Sequence, residues 1–276
     1  MTVLAAGLAL LGSLFFALGA ALQQFEAART PRAGLGHLVR RPRWLLGGLS
    51  IAGGTALHIV ALKYGPLTLV QPMGVASLLF ALPCAAALQH RRPRPGELAS
   101  AGVIAIGLIG LVMVVPEHSG EPHLSTGEAV TLLAGAATAA LVLWVLARQV
   151  SPAARACLLA MGAGVLYGAT ATLTRVLVDG NWEFWFLLAV PMPALIALVL
   201  LQRAYAVGHF GVAFAALQVA DPLTAVAFGA LLLGEPLPTG AASTLTALAA
   251  AALTAAGTVA LARTTPMSPS HEVTAR

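Results

Sequence analysis

The chain has 276 residues, of which 59% are hydrophobic and 9% charged, with a mean hydropathy of +0.89. Soluble domains carry about a quarter charged residues, so the composition excludes a water-soluble fold and points to an integral membrane protein. The formal charge of +5 does not signal nucleic-acid binding, because the basic residues sit in loops rather than among aromatics on one face.

A helix needs about 20 mostly apolar residues to cross roughly 30 Å of hydrocarbon. That length predicts nine spans, at 2–24, 44–63, 66–89, 96–116, 126–148, 153–178, 182–203, 208–234 and 239–262. The first has no basic leader and no clear small-residue cleavage site, so it reads as a retained span rather than a signal peptide. Residues 25–43 are too charged to cross. Pro66 and Pro95 open helices, Ser125 with Glu128 forms a capping-box pattern, and Ser151-Pro152 reads as N-cap and first helical residue. Cys84 and Cys157 lie in apolar runs and read as small buried hydrophobes. The tail over 264–276 reads as disordered and cytoplasmic.

Basic residues set the orientation. With the N-terminus outside, all 15 Lys and Arg except Lys63 and Arg175 fall on the inner side, a bias that runs the same way at every loop. The expected topology is N-out, C-in, in the plasma (inner) membrane.

The chain also repeats weakly. Setting Gly65 on Gly208 matches Pro93 with Pro236 and Pro95 with Pro238, an offset of 143. Upstream, "ALQQ" (21–24) resembles "TLTR" (172–175). The predicted fold is all-α: 1–116 as a first four-helix repeat, 117–150 carrying a connecting span, and 151–263 as a second repeat. Five crossings separate the two starts, so the repeats point in opposite directions, the plan of many secondary transporters with a midplane site.

"ALKYGPLTLVQPMGVASLLFAL" (61–82), after Trp44 and Gly47-Gly48, and "GHFGVAFAALQVADPLTAVAFGALLLGEPL" (208–237) resemble helix pairs of the drug/metabolite transporter superfamily, including its EamA-type members. The first, with "LVMVVPEH" (111–118), also resembles the NIPA-type magnesium permeases, a nine-helix branch. The resemblance implies an inverted-repeat bundle with a central cavity that moves a small metabolite, drug or ion. NIPA-type proteins carry an acidic residue and an asparagine about where this chain has "GGTALH" (53–58), a departure that argues against magnesium.

Asp221 lies about halfway along span eight, where an ionised carboxylate costs at least about 2.5 kcal/mol and must face the bundle interior, water or a partner. It reads as a proton or cation site, or a counter-charge for a cationic substrate. Asp-Pro is also a good N-cap and first residue, so Asp221 could instead cap the upper half of a broken helix. Gln218, three residues earlier, shares its face. Gln71, before Pro72, is the nearest counterpart in the first half, although the offset of 143 does not align the two prolines. His58, Tyr167 and Thr172 complete the candidate substrate or ion site. For His58 a satisfied core histidine competes, and Thr170, Thr172 and Thr174 can simply bond back to their own helix. Arg175 either pairs with Asp179 one turn on or attracts anions at the outer mouth. Gly164 with Gly168, and Ser50 with Gly54, read as close-packing pairs. Glu26 is expected at the inner interface among arginines.

Three further functions compete with a transporter. A divalent-cation permease would want several oxygen ligands, yet Asp221 is the one carboxylate deep in a span. An intramembrane enzyme would need a paired constellation at matching depth, and the sequence has no HExxH, no GxSxG and no second midplane aspartate. Glu117, His118, Glu121 and His123 cluster in an outer loop, where solvation explains them as well as metal does. A noncatalytic membrane scaffold is the remaining reading. No cofactor is implied; the expected partners are a small-molecule or ion substrate and the lipid bilayer, with a homodimer allowed.

Overall fold

The computed structural model describes residues 2–32, 34–65, 67–114, 124–179, 189–234 and 240–264, without the side chains at 67, 68, 71, 72, 178 and 179. Among these residues there is no strand. The long helices are α1 (Thr2–Arg29), α2 (Pro42–Tyr64), α3 (Leu67–Leu88), α4 (Pro95–Val114), α5 (Thr126–Leu146), α6 (Pro152–Asp179), α7 (Pro191–Ala206), α8 (Phe210–Leu232) and α9 (Ala241–Thr264), with one helical turn at Leu35–Leu38. Seven, all but α3 and α7, are long and apolar enough among the described residues to cross a membrane. Large apolar side chains stand exposed around the bundle, Leu49 at 70% and Leu231 at 79% among them. Apolar surface on that scale is stable only against lipid.

Local signals start the helices where the sequence predicts. Ser125 and Glu128 close both halves of a capping box, with the Ser125 amide donating to Glu128 Oε2 at 2.8 Å and the Glu128 amide to Ser125 Oγ at 3.3 Å. Pro95 and Pro152 are first residues of α4 and α6. Glu97, fully buried, accepts from the Arg94 amide at 2.8 Å and from both Arg91 terminal nitrogens, which ties down the first turn of α4. Most described boundaries fall within two residues of expectation, the expected start of the seventh span at 182 lies outside the described residues, and two ends differ by more. α1 runs five residues past 24, since Gln23, Gln24 and Glu26 are buried against neighbours rather than released to water. α7 continues three residues past 203, its last turn holding the fully buried Tyr205.

α1 packs along α2 and α3, α6 along α7 and α8, and α4 along α9, while α5 lies against α6. Lighter contacts join α3 to α4, α8 to α9, α3 to α8 and α1 to α7. Apolar helices gain no hydrophobic energy by leaving lipid for one another, so close approach of small residues has to hold them. Glycines supply it. A Cβ at Gly54 would lie 2.7 Å from the Gly12 carbonyl oxygen, one at Gly19 2.5 Å from the Gly47 carbonyl, and one at Gly107 2.8 Å from the Ala250 carbonyl. Gly164 and Gly168 do the same for α6 against α8, meeting Ala220, Asp221 and Ala225. Ser50 Oγ donates to the Phe15 carbonyl at 2.9 Å, so both expected close-packing pairs are realised.

Gly107→Ala is expected to destabilise by about 1–3 kcal/mol, because its methyl meets backbone that cannot step aside. At Gly102 a Cβ meets nothing within 4 Å, and Gly102→Ala should be neutral or stabilise by up to about 1 kcal/mol. Thermal unfolding of the two variants in detergent measures the difference.

Candidate functional site

Among the described residues, two polar groups lie inside the bundle, one around candidate residues singled out from sequence and one that sequence did not single out. The first surrounds Asp221. α8 is continuous from Phe210 to Leu232 with Pro222 inside it, so Asp221 does not cap a broken half-helix. Pro222 lacks the one amide that would reach the Gln218 carbonyl, a loss a lipid-buried helix absorbs without unwinding. Thr224 Oγ1 turns back onto the Ala220 and Asp221 carbonyls at 2.6 and 3.0 Å and reaches the Gly164 carbonyl on α6 at 3.3 Å. The half-buried Asp221 is close enough to Tyr167 of α6 for the two side chains to interact electrostatically. Tyr167 in turn interacts with the buried Tyr205 of α7. No hydrogen bond to the Asp221 carboxylate is formed among the described residues.

Gln218 crosses to the first half of the chain, its Nε2 donating to the buried Ser77 Oγ of α3 at 2.9 Å. Gln71 lies one and a half turns earlier on α3; its side chain is outside the described residues. Thr172 is buried, but its hydroxyl donates to the Gly168 carbonyl, and Thr170 and Thr174 likewise bond back within α6. The threonines therefore satisfy themselves.

His58 sits apart from Asp221, between α2, α1 and α3. Its Nδ1 is 3.2 Å from the Gly54 carbonyl, its ring meets Phe16 edge-on at 5.6 Å, and it fills the space that glycine leaves at Gly12. Nε2 is buried with no hydrogen-bond partner among the described residues and faces Gly74. The satisfied-histidine reading is thus half right. Nearby, Ser13 Oγ donates to the Met73 carbonyl at 2.7 Å. Arg175 is half-buried near the end of α6. Neither Asp179's side chain nor any of Glu117, His118, Glu121 and His123 is among the described residues. No group of three or more His, Cys, Asp or Glu that could hold a metal occurs among those described. Cys84 and Cys157 are free thiols, half-buried where the sequence predicts burial.

Sequence reasoning missed the second group. Trp44 Nε1 of α2 donates to Gln202 Oε1 of α7 at 3.0 Å, and Gln202 Nε2 donates to Gln23 Oε1 of α1 at 3.1 Å, all three buried. Gln24 and Glu26 are buried beside it, Glu26 lying 3.9 Å from Arg41. The available signal was a glutamine inside each of two apolar helices, since such side chains bond across helices. A cavity of about 840 Å³ opens at this end of the bundle, and Asp221 is not among its lining residues. It is lined by the segment after α1, the α5–α6 junction and the end of α7.

The fold defines a helical, multi-pass membrane protein. The chain is 28% identical over 250 residues, 84% of its length and 86% of the relative's, to an uncharacterized protein of Corynebacterium glutamicum. No protein-family profile matches it, and no solved structure does.

Gln202→Leu is expected to lower stability by about 1–2 kcal/mol, since it orphans both Trp44 and Gln23. Adding Gln23→Leu to it should then cost less than Gln23→Leu alone, because the shared bond is already gone. Thermal unfolding midpoints in detergent across this double-mutant cycle report the coupling.

Proposed function

We propose that the chain is a secondary transporter of the inner membrane, a carrier rather than an enzyme. It rocks α1–α4 against α6–α9 to move a small metabolite, drug or ion past Asp221, with α5 as the connecting span. The observation that carries the reading is a partial symmetry of the packing, from which the α1–α7 contact, with no α2–α6 counterpart of similar extent, departs. Exchanging α1, α2, α3 and α4 for α6, α7, α8 and α9 turns the pairs α1–α2, α1–α3 and α3–α4 into α6–α7, α6–α8 and α8–α9, all of which pack. The contacts α3–α8 and α4–α9 map onto themselves, as contacts on a two-fold axis do. Inverted repeats build their substrate sites on that axis.

The packing also supports a register other than Gly65 on Gly208. Gly65 has φ −153, extended, whereas Gly208 has φ +93, so the two glycines do different jobs. Ser13 touches Met73 and Gly164 touches Thr224, each pair 60 residues apart. An offset of 151 carries the first pair onto the second, and it is the offset at which "ALQQ" meets "TLTR". In that register Gln71-Pro72 lands within one residue of Asp221-Pro222, so a polar residue before a proline stands in both axis helices. Asp221, the acid of the pair, supplies the charge for a proton or a cationic substrate. A magnesium permease has less behind it, since a hard cation wants several oxygen ligands.

Asp221→Asn is expected to abolish gradient-driven flux, a fall of 100-fold or more, while insertion and unfolding temperature stay near wild type. The assay is uptake of radiolabelled organic cations, amino acids and magnesium into proteoliposomes under an imposed pH gradient. Wild-type flux in the variant, or no flux of any compound through the wild type, removes the reading.

A further inference from the structure

The cavity of about 840 Å³ at the end of the bundle is ringed by four arginines from four separate segments. Arg32 follows α1, Arg148 follows α5, Arg155 lies in the first turn of α6, and Arg203 lies in the last turn of α7. No aspartate or glutamate lines it among the described residues. The two ion pairs among the described residues, Arg41 with Glu26 and Arg91 with Glu97, involve none of these four guanidinium groups. Arg148 is stacked on Trp144, 3.7 Å from the ring centroid, and Trp144 forms part of the wall. The buried Gln202, anchored through Trp44 and Gln23, contributes to the lining.

Membrane sidedness explains why the arginines share one end of the bundle. It does not explain why four of them meet around one hollow, where their mutual repulsion opposes folding unless something neutralises it. The 28-residue helix α6 adds to the charge, because Pro152 and Arg155 of its first turn line the same space and helix N-termini are electropositive. A volume of 840 Å³ is within the range of small-molecule sites, roughly 300–1,000 Å³. Guanidinium groups bind phosphate oxygens in planar, two-bond geometry.

We infer that this cavity is a binding site for a phosphate-bearing anion. The phosphate belongs either to a lipid headgroup reaching in from the bilayer, as at basic pockets between membrane helices, or to a soluble molecule. The inference uses none of the residues around Asp221, and binding rather than transport is its readout.

Calorimetric titration of the full-length protein in a neutral maltoside detergent tests it, with dihexanoyl phosphatidic acid and inorganic phosphate as separate probes. Saturable binding is expected, weakened at least tenfold in Arg155→Gln/Arg203→Gln and unchanged in the control Arg92→Gln/Arg94→Gln, whose positions lie outside the cavity. All four side chains are exposed, so both variants should fold, which their unfolding temperatures check. Saturation by phosphatidic acid alone identifies a lipid; saturation by inorganic phosphate as well identifies a soluble ligand. Absence of saturable binding for both probes, or equal binding in the cavity and control variants, overturns the inference.

Discussion

Backbone-to-backbone contact between helices is the constraint on which this bundle depends. In lipid an apolar helix gains nothing by hiding leucines, and only dispersion at short range and the occasional hydrogen bond hold neighbours together. The chain meets that requirement with glycine at the crossing points: Gly12 with Gly54, Gly19 with Gly47, Gly164 and Gly168 under the middle of α8, and Gly107 and Gly257 between α4 and α9. Each removes a side chain so that carbonyl oxygens and amides of two helices come within touching distance. Many large hydrophobes, Leu49 and Leu231 among them, stand on the outside where lipid meets them, while others such as Leu78, Ile104 and Leu173 pack inside.

Because the glycine contacts are short, the polar residues beside them are held in register. Gly164 and Gly168 bring α6 against Ala220, Asp221 and Thr224, which sets Tyr167 near the carboxylate. Gly19 and Gly47 bring α1 against α2, which lets Gln23, Trp44 and Gln202 close a three-way link. Site geometry here follows from packing at small residues one turn away, and the chemistry-bearing side chains are passengers on it.

Much of the helical plan was readable from sequence, because a hydrophobic run, a proline at the first turn and a capping box are local signals with local causes. Ser125–Glu128 and Pro152 perform as their chemistry requires. The expected offset of 143 rests on glycines and prolines that stand out in sequence, but its two glycines differ in backbone conformation. Gly65 and Gly208 look alike in sequence, yet one is extended and the other left-handed. What matters for register is which small residue faces a neighbour, and that depends on helices far apart in the chain. The same reason hid Gln202: one glutamine in an apolar helix is visible, but its partners lie 158 and 179 residues away. The arginines were legible as a set with one sidedness, while their meeting around a hollow depends on the segment after α1, the α5–α6 junction and the end of α7 folding to the same place. The alternative reading of Asp221 as the cap of a broken half-helix is not realised, because proline removes only one backbone bond and the helix runs on through it.

The two polar links between the halves sit at different depths. Gln218 meets Ser77 near the middle of α3, whereas Gln202 joins Gln23 and Trp44 at the end where α1 finishes and α2 starts. Such bonds are worth about 0.6 to 1.7 kcal/mol in a membrane protein. In the proposed carrier motion, a tilt of one half about the Ser77 contact keeps that contact as a fulcrum and spreads the distant end, where the Gln202 link has to part. Two such bonds, to Trp44 and to Gln23, favour the joined arrangement by about 1.2 to 3.4 kcal/mol, a factor of about 8 to 300, which the differential binding of a ligand can match.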